Sequence, residues 1–207
     1  MGRLFDFDGP FFSFFEKIAD TVILNIIFII CCLPVFTVGA SLTALSSVTQ
    51  KMARKEEGYI LRGFFSSFKQ NFIQATAIWL IMVFFGVVFF FDIRFIAVSG
   101  EGVMLNVFRV LLLMLGIIYV FEFIYVFPVL ARFDNTILNT MRNALLLSVI
   151  NLPWTLVLVL LFAVPPVIGY FYLKIGIPLY LFAGFSLVSL ISSYIFRKIF
   201  DPLVTNG

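Results

Sequence analysis

The stretch "LNIIFIICCLPVFTVGASLTALSSVTQKMARK", Leu24 to Lys55, decides the fold class. It carries no charge until Lys51, after which Arg54 and Lys55 follow at once. With the residues before it, an almost uncharged run reaches from Ile18 to Gln50. As one helix that run is about 50 Å long, against a hydrocarbon core of ~30 Å. It must tilt, bend or project. Pro34 supplies the bend, because proline removes a backbone donor and clashes with the carbonyl four residues back. Beyond it Thr37, Ala40, Ser41, Ala44 and Ser47 form a stripe of small residues. Small residues let helices approach closely inside a membrane. The stripe is a helix-packing surface, for the chain's own bundle or for another membrane protein.

The rest of the chain agrees with a membrane reading. Of 207 residues 62% are hydrophobic and 12% charged, where soluble domains carry roughly 25% charged. The mean hydropathy is +1.13. The expected class is all-α: a polytopic membrane helix bundle forming one domain over residues 1–207, in the cell membrane. Five spans are expected, at about 18–50, 72–91, 104–130, 152–172 and 175–196. Residues 1–17 read as an interfacial N-terminus. Their mixture of acids and bases, with no small-residue cleavage site after them, is unlike a signal peptide.

Lysine and arginine orient the chain. Lys51, Arg54, Lys55, Arg62 and Lys69 follow the first span, Arg132 and Arg142 the third, and Arg197 and Lys198 the last. In a five-span arrangement these share one side, expected to be the cytoplasm. The N-terminus is then outside and the C-terminus inside.

Two basic segments are also amphipathic. In "YILRGFFSSFKQNF", Leu61, Phe64, Phe65, Phe68 and Phe72 recur at helical spacing, away from Arg62 and Lys69. In "NTILNTMRNALLLSVI", Ile137, Leu138, Met141, Leu145 and Ser148 share a face, and Thr136 can cap the start. Interfacial helices are expected over about 59–71 and 136–150. Phe64, Phe68, Lys69, Arg132, Asp134 and Arg142 are the candidate cytoplasmic interface. The two segments match loosely at an offset of 73 residues, as a parallel repeat of the kind found in transporters would.

The opening stretch with its continuation to Ile81 resembles the YesL family of small bacterial membrane proteins. "LPVFTVGAS", "FFSSFKQNFIQAT", "YVFPVLARFDNT" and "NALLLSVINLP" carry the likeness. The resemblance implies association with carbohydrate uptake, because genes of that family often neighbour sugar ABC importers. It supplies no catalytic residues.

Glu122 is the one acid well inside an expected span. A charge at that depth costs roughly 2.5–3.5 kcal/mol even on the lenient insertion scale. Tyr119 and Tyr125, three residues to either side, are placed to share hydrogen bonds with it. Pro153, Pro165 and Pro166 can break the fourth span. Trp79 and Trp154 suit interfacial anchoring.

Much chemistry is missing from the sequence. There is no histidine, the commonest general base and metal ligand. Cys31 and Cys32 are adjacent, without a third cysteine, and read as small hydrophobes. Neither a phosphate-binding loop nor H-E-x-x-H nor G-x-S-x-G occurs. No cofactor, metal or nucleic acid is expected. The expected function is a non-enzymatic accessory subunit against the permease of a carbohydrate ABC importer, in contact with membrane lipid. The alternative is a small transporter or channel using Glu122, alone or as a homo-oligomer.

Overall fold

The computed structural model describes residues 10–56, 58–98, 102–171 and 180–205. Among them every regular element is helical. We number the helices α1 (Pro10–Cys32), α2 (Val38–Ala53), α3 (Ile60–Val98), α4 (Val103–Arg132), α5 (Ile137–Ile150), α6 (Leu152–Phe171) and α7 (Phe185–Thr205). A 3-10 turn, Val35–Thr37, precedes α2, and a π-helical turn, Tyr180–Gly184, precedes α7.

The stretch from Ile18 to Gln50 is not one bent span. Pro34 is extended, with φ −76° and ψ 118°, and the helix stops two residues before it. Proline also disfavours helical backbone in the residue ahead of it. The Thr37 hydroxyl lies 2.5 Å from the Cys31 carbonyl oxygen and 2.7 Å from that of Pro34. The Cys31 carbonyl is one that a helix end leaves without an intrahelical partner, while the Pro34 carbonyl also accepts from the Thr37 amide at 3.0 Å.

The chain then folds back. Cys32 lies beside Ser41 across the break. Asn25 of α1 meets Ser186, and Thr49 of α2 meets Ser189, only one helical turn further along α7. A straight helix would hold Asn25 and Thr49 about 36 Å apart. Leu24 and Phe28 accordingly share one apolar cluster with Ala44, Leu45, Val48 and Phe64. Residues 18–50 therefore form a helical hairpin whose two ends point the same way. The expectation of an outside N-terminus rested on a single pass there, and this geometry removes that ground.

Helix α2 is the centre of the molecule, packed most extensively against α3 and α7. Its approach to α3 needs glycine. A Cβ on Gly39 would lie 2.4 Å from the Ala75 carbonyl oxygen and 2.6 Å from Trp79 Cβ. The second apolar cluster joins Ala40 to Ala75, Ile78, Tyr125, Leu158, Phe196 and Phe200.

Helix α3 runs unbroken for 39 residues, about 58 Å. The segment expected as a separate interfacial helix at 59–71 continues directly into the following span, because no proline separates them. Its inward face also differs from the expected stripe. Phe64 is buried and Phe68 half-buried, while Leu61 and Phe65 are exposed.

Helices α3, α4 and α7 are long and apolar enough to cross a membrane. Helices α5 and α6 together make a fourth such length, bent by 103°. Helix α1 is not among these candidates: Glu16, Lys17 and Asp20 leave only a short uncharged helical run before Leu33. Runs of that length are more often re-entrant or buried than spanning. The beginning of the expected fifth span, 175–179, lies outside the described residues. The outer halves of α3 and α4 expose Phe84, Phe90, Phe91, Phe95, Val107 and Leu113 to their surroundings, as a bilayer requires.

Candidate functional site

The sequence singles out Glu122 with Tyr119 and Tyr125, and the structure separates the three. The Tyr119 hydroxyl donates to the Met82 carbonyl at 3.0 Å, joining α4 to α3. Tyr125 is fully buried and its hydroxyl meets Thr155 Oγ1 at 2.8 Å. Its ring stands edge-on to Phe196, with centroids 5.2 Å apart. Thr155 in turn lies 2.6 Å from the Ser148 carbonyl oxygen, so α4, α5 and α6 meet at one hydroxyl. Glu122 shares none of these bonds. It is half-buried, and its Oε1 is shielded without a hydrogen-bond partner among the described residues. Thr76 Oγ1 on α3 is in the same condition.

The small-residue stripe lies inside this chain. Thr37, Ala40, Ser41, Ala44 and Ser47 are all buried, so they offer no face to another protein. The physical reason is the fold-back at Pro34, which brings α1, α3 and α7 around α2.

Sequence reasoning missed a polar seam between the hairpin and α7. Thr49 Oγ1 is 2.9 Å from both Ser189 Oγ and Ser193 Oγ. Asn25 Oδ1 accepts from the Ser186 amide and hydroxyl at 3.1 Å each. Gln50 Nε2 donates to the Pro128 carbonyl of α4 at 3.0 Å. Ser186, Ser189 and Ser193 are spaced i, i+3, i+7, and that spacing in an apolar span was the available signal.

Ionic contacts gather where α2, α4 and α7 end. Asp201 lies 3.6 Å from Arg132 and 3.3 Å from Arg197. Arg197 also donates to the Ala53 carbonyl at 3.0 Å, which suits a cation at a helix C-terminus. Arg54 pairs with Glu56 at 2.5 Å. That hydrogen bond, and after it the charges of Arg54, Arg132 and Lys51, hold the Glu56 carboxyl below its usual range despite some burial. Of the remaining candidates, Lys69, Asp134 and Arg142 are exposed. Among the described residues, no group of three or more histidine, cysteine, aspartate or glutamate side chains is placed to hold a metal.

Residues 21–93 match a family described as "Protein of unknown function, DUF624". The chain is 27% identical to "Uncharacterized protein YteU" of Bacillus subtilis (strain 168), over 73% of this chain and 68% of that one. It is 28% identical to "Uncharacterized protein YesL" of the same organism, over 60% of this chain and 58% of that one. The resemblance to the YesL family is borne out. No solved structure matches the chain at a significant level. The matched residues hold the second half of α1, the turn at Pro34, all of α2 and most of α3. The family match therefore falls on the hairpin and the long helix it crosses. The alignment spans less than two thirds of YesL itself.

Proposed function

We propose that this chain is a non-enzymatic accessory subunit of a carbohydrate ABC importer, packed beside the permease to support assembly or transport. The link to sugar uptake rests on the YesL-family resemblance. The observation that carries the accessory role is how the buried polar groups are used. Asn25, Thr49, Gln50, Tyr125, Thr155, Ser186, Ser189 and Ser193 all bond to other protein groups. A path for a sugar needs side chains free to bond the substrate and water. Side chains already satisfied across helix contacts serve the bundle instead. The contact with the permease then falls on exposed helix faces rather than on the small-residue stripe.

The topology we infer has α3, α4, α6 and α7 crossing the membrane, with the α1–α2 hairpin inserted from one side. The N-terminus then shares a side with Lys51, Arg54, Lys55, Arg132, Arg142, Arg197 and Lys198. By the positive-inside rule that side is the cytoplasm, and both termini lie there.

A second reading, a transporter that uses Glu122, is favoured by one observation: the shielded Oε1 without a partner among the described residues. Purification of the tagged chain at native expression in mild detergent separates the two. Co-purifying permease and solute-binding subunits are expected. Recovery of self-associated chain alone would instead favour the transporter.

A further inference from the structure

Helix α5 has two faces of opposite character. Towards the bundle it presents Thr140, Ala144 and Ser148, each 0% exposed and spaced four residues apart. This small-residue stripe lets α5 lie close against its neighbours, chiefly α4. The opposite face carries Leu138 at 78%, Leu146 at 48%, Val149 at 54% and Ile150 at 74% exposure. Only one cation, Arg142, stands among them, also exposed. Of the residues that the periodicity groups on one face, Ile137, Met141 and Leu145 are half-buried and Ser148 buried, while Leu138 is exposed.

The direction of α5 matters as much as its composition. It meets α6 at 103° through Asn151. If α6 runs along the membrane normal, α5 lies nearly in the membrane plane. The start of α6 carries Trp154, over whose ring Lys198 sits at 4.8 Å from the centroid. Tryptophan and lysine with a wet end and an apolar body are the side chains that settle at a bilayer boundary. The corner between α5 and α6 is thus marked as the level of the headgroups.

We propose that α5 lies in the cytoplasmic leaflet at the boundary of headgroups and acyl chains. Leu138, Leu146, Val149 and Ile150 sit among the acyl chains, and Arg142 meets a phospholipid phosphate. An exposed face with four large aliphatic residues and one cation fits a lipid surface. This inference rests on the reading of α6 as a membrane span.

The test uses the full chain, with Cys31→Ala and Cys32→Ala, reconstituted in vesicles of phosphatidylcholine and phosphatidylglycerol. Flotation at alkaline pH reports separately whether the chain is integral. Nitroxides are placed through Leu146→Cys and Val149→Cys. Collisions with oxygen, which partitions into lipid, should exceed those with a water-soluble nickel chelate several-fold at both sites. Adding Arg142→Glu should move that ratio towards the chelate. Greater access of the chelate in floated protein overturns the proposal. So does an immobilised label that neither reagent reaches, which means that another protein or a second copy covers the face. An unchanged ratio in the Arg142→Glu variant overturns the phosphate contact.

Discussion

Gly39 and Glu122 set the terms at the scale of single residues. Gly39 lies against backbone and the root of Trp79, neither of which moves easily. Gly39→Ala should lose about 1–3 kcal/mol of stability, the usual range for overpacking, seen as a lower melting temperature in detergent. At Gly58 an added methyl would meet nothing within 4 Å, so Gly58→Ala should melt like the parent. Equal melting of both variants would show that α2 and α3 do not cross closely. At Glu122 the accessory role predicts silence. Glu122→Gln keeps size and hydrogen bonding while removing the proton, so partner recovery and sugar-dependent growth should stay unchanged. Loss of growth at a normal protein level would move the balance to transport. The glutamate itself was legible in the sequence as a lone acid in an apolar run. The hydrogen bonds expected with Tyr119 and Tyr125 do not form, because those hydroxyls turn to Met82 and Thr155 on other helices.

The hairpin and the seam belong to the scale of elements. Nitroxides at Ile23 and Met52 report on the fold-back directly. A straight helix would separate them by about 43 Å, whereas antiparallel neighbours stay far closer, and pulsed spin-resonance distances tell the two apart. The Thr49–Ser193 contact invites a double-mutant cycle. Thr49→Val and Ser193→Ala should couple by about 0.6 kcal/mol, the average for hydrogen bonds between membrane helices. Strict additivity would mean that the 2.9 Å contact contributes nothing to stability. Thr136 shows what local sequence can foretell: its side chain accepts from the Asn139 amide, as its position before α5 leads one to expect. Pro34 shows the limit. A proline announces a break, but the angle across it is decided by what the two halves touch.

For the whole molecule the decisive measurement is sidedness. An N-terminal tag, a cysteine at Gly58 and a C-terminal tag should all be protected in intact cells, with a cysteine at Met104 open to a membrane-impermeant reagent. An N-terminal tag reached from outside would restore a first crossing before Lys51 and remove the inserted hairpin.

Composition and the long apolar runs of this chain by themselves pointed to helices long and apolar enough to cross a membrane. Its apolar content exceeds what one soluble core can hide, and helices satisfy their own backbone in lipid. The positions of α4, α5 and α6 followed from local patterns, since capping, proline and periodicity act over a few residues. The tertiary structure decided what those patterns left open. It turned the stretch at Pro34 into a hairpin, because Asn25 and Thr49 both find partners on α7. It hid the small-residue stripe, because α2 became the helix around which the others gather. It turned inward only part of the expected stripe of α3, burying Phe64 and leaving Leu61 and Phe65 exposed, because a helix in a bilayer has apolar residues on every side. Which of them turn inward depends on where small side chains let a neighbour come close.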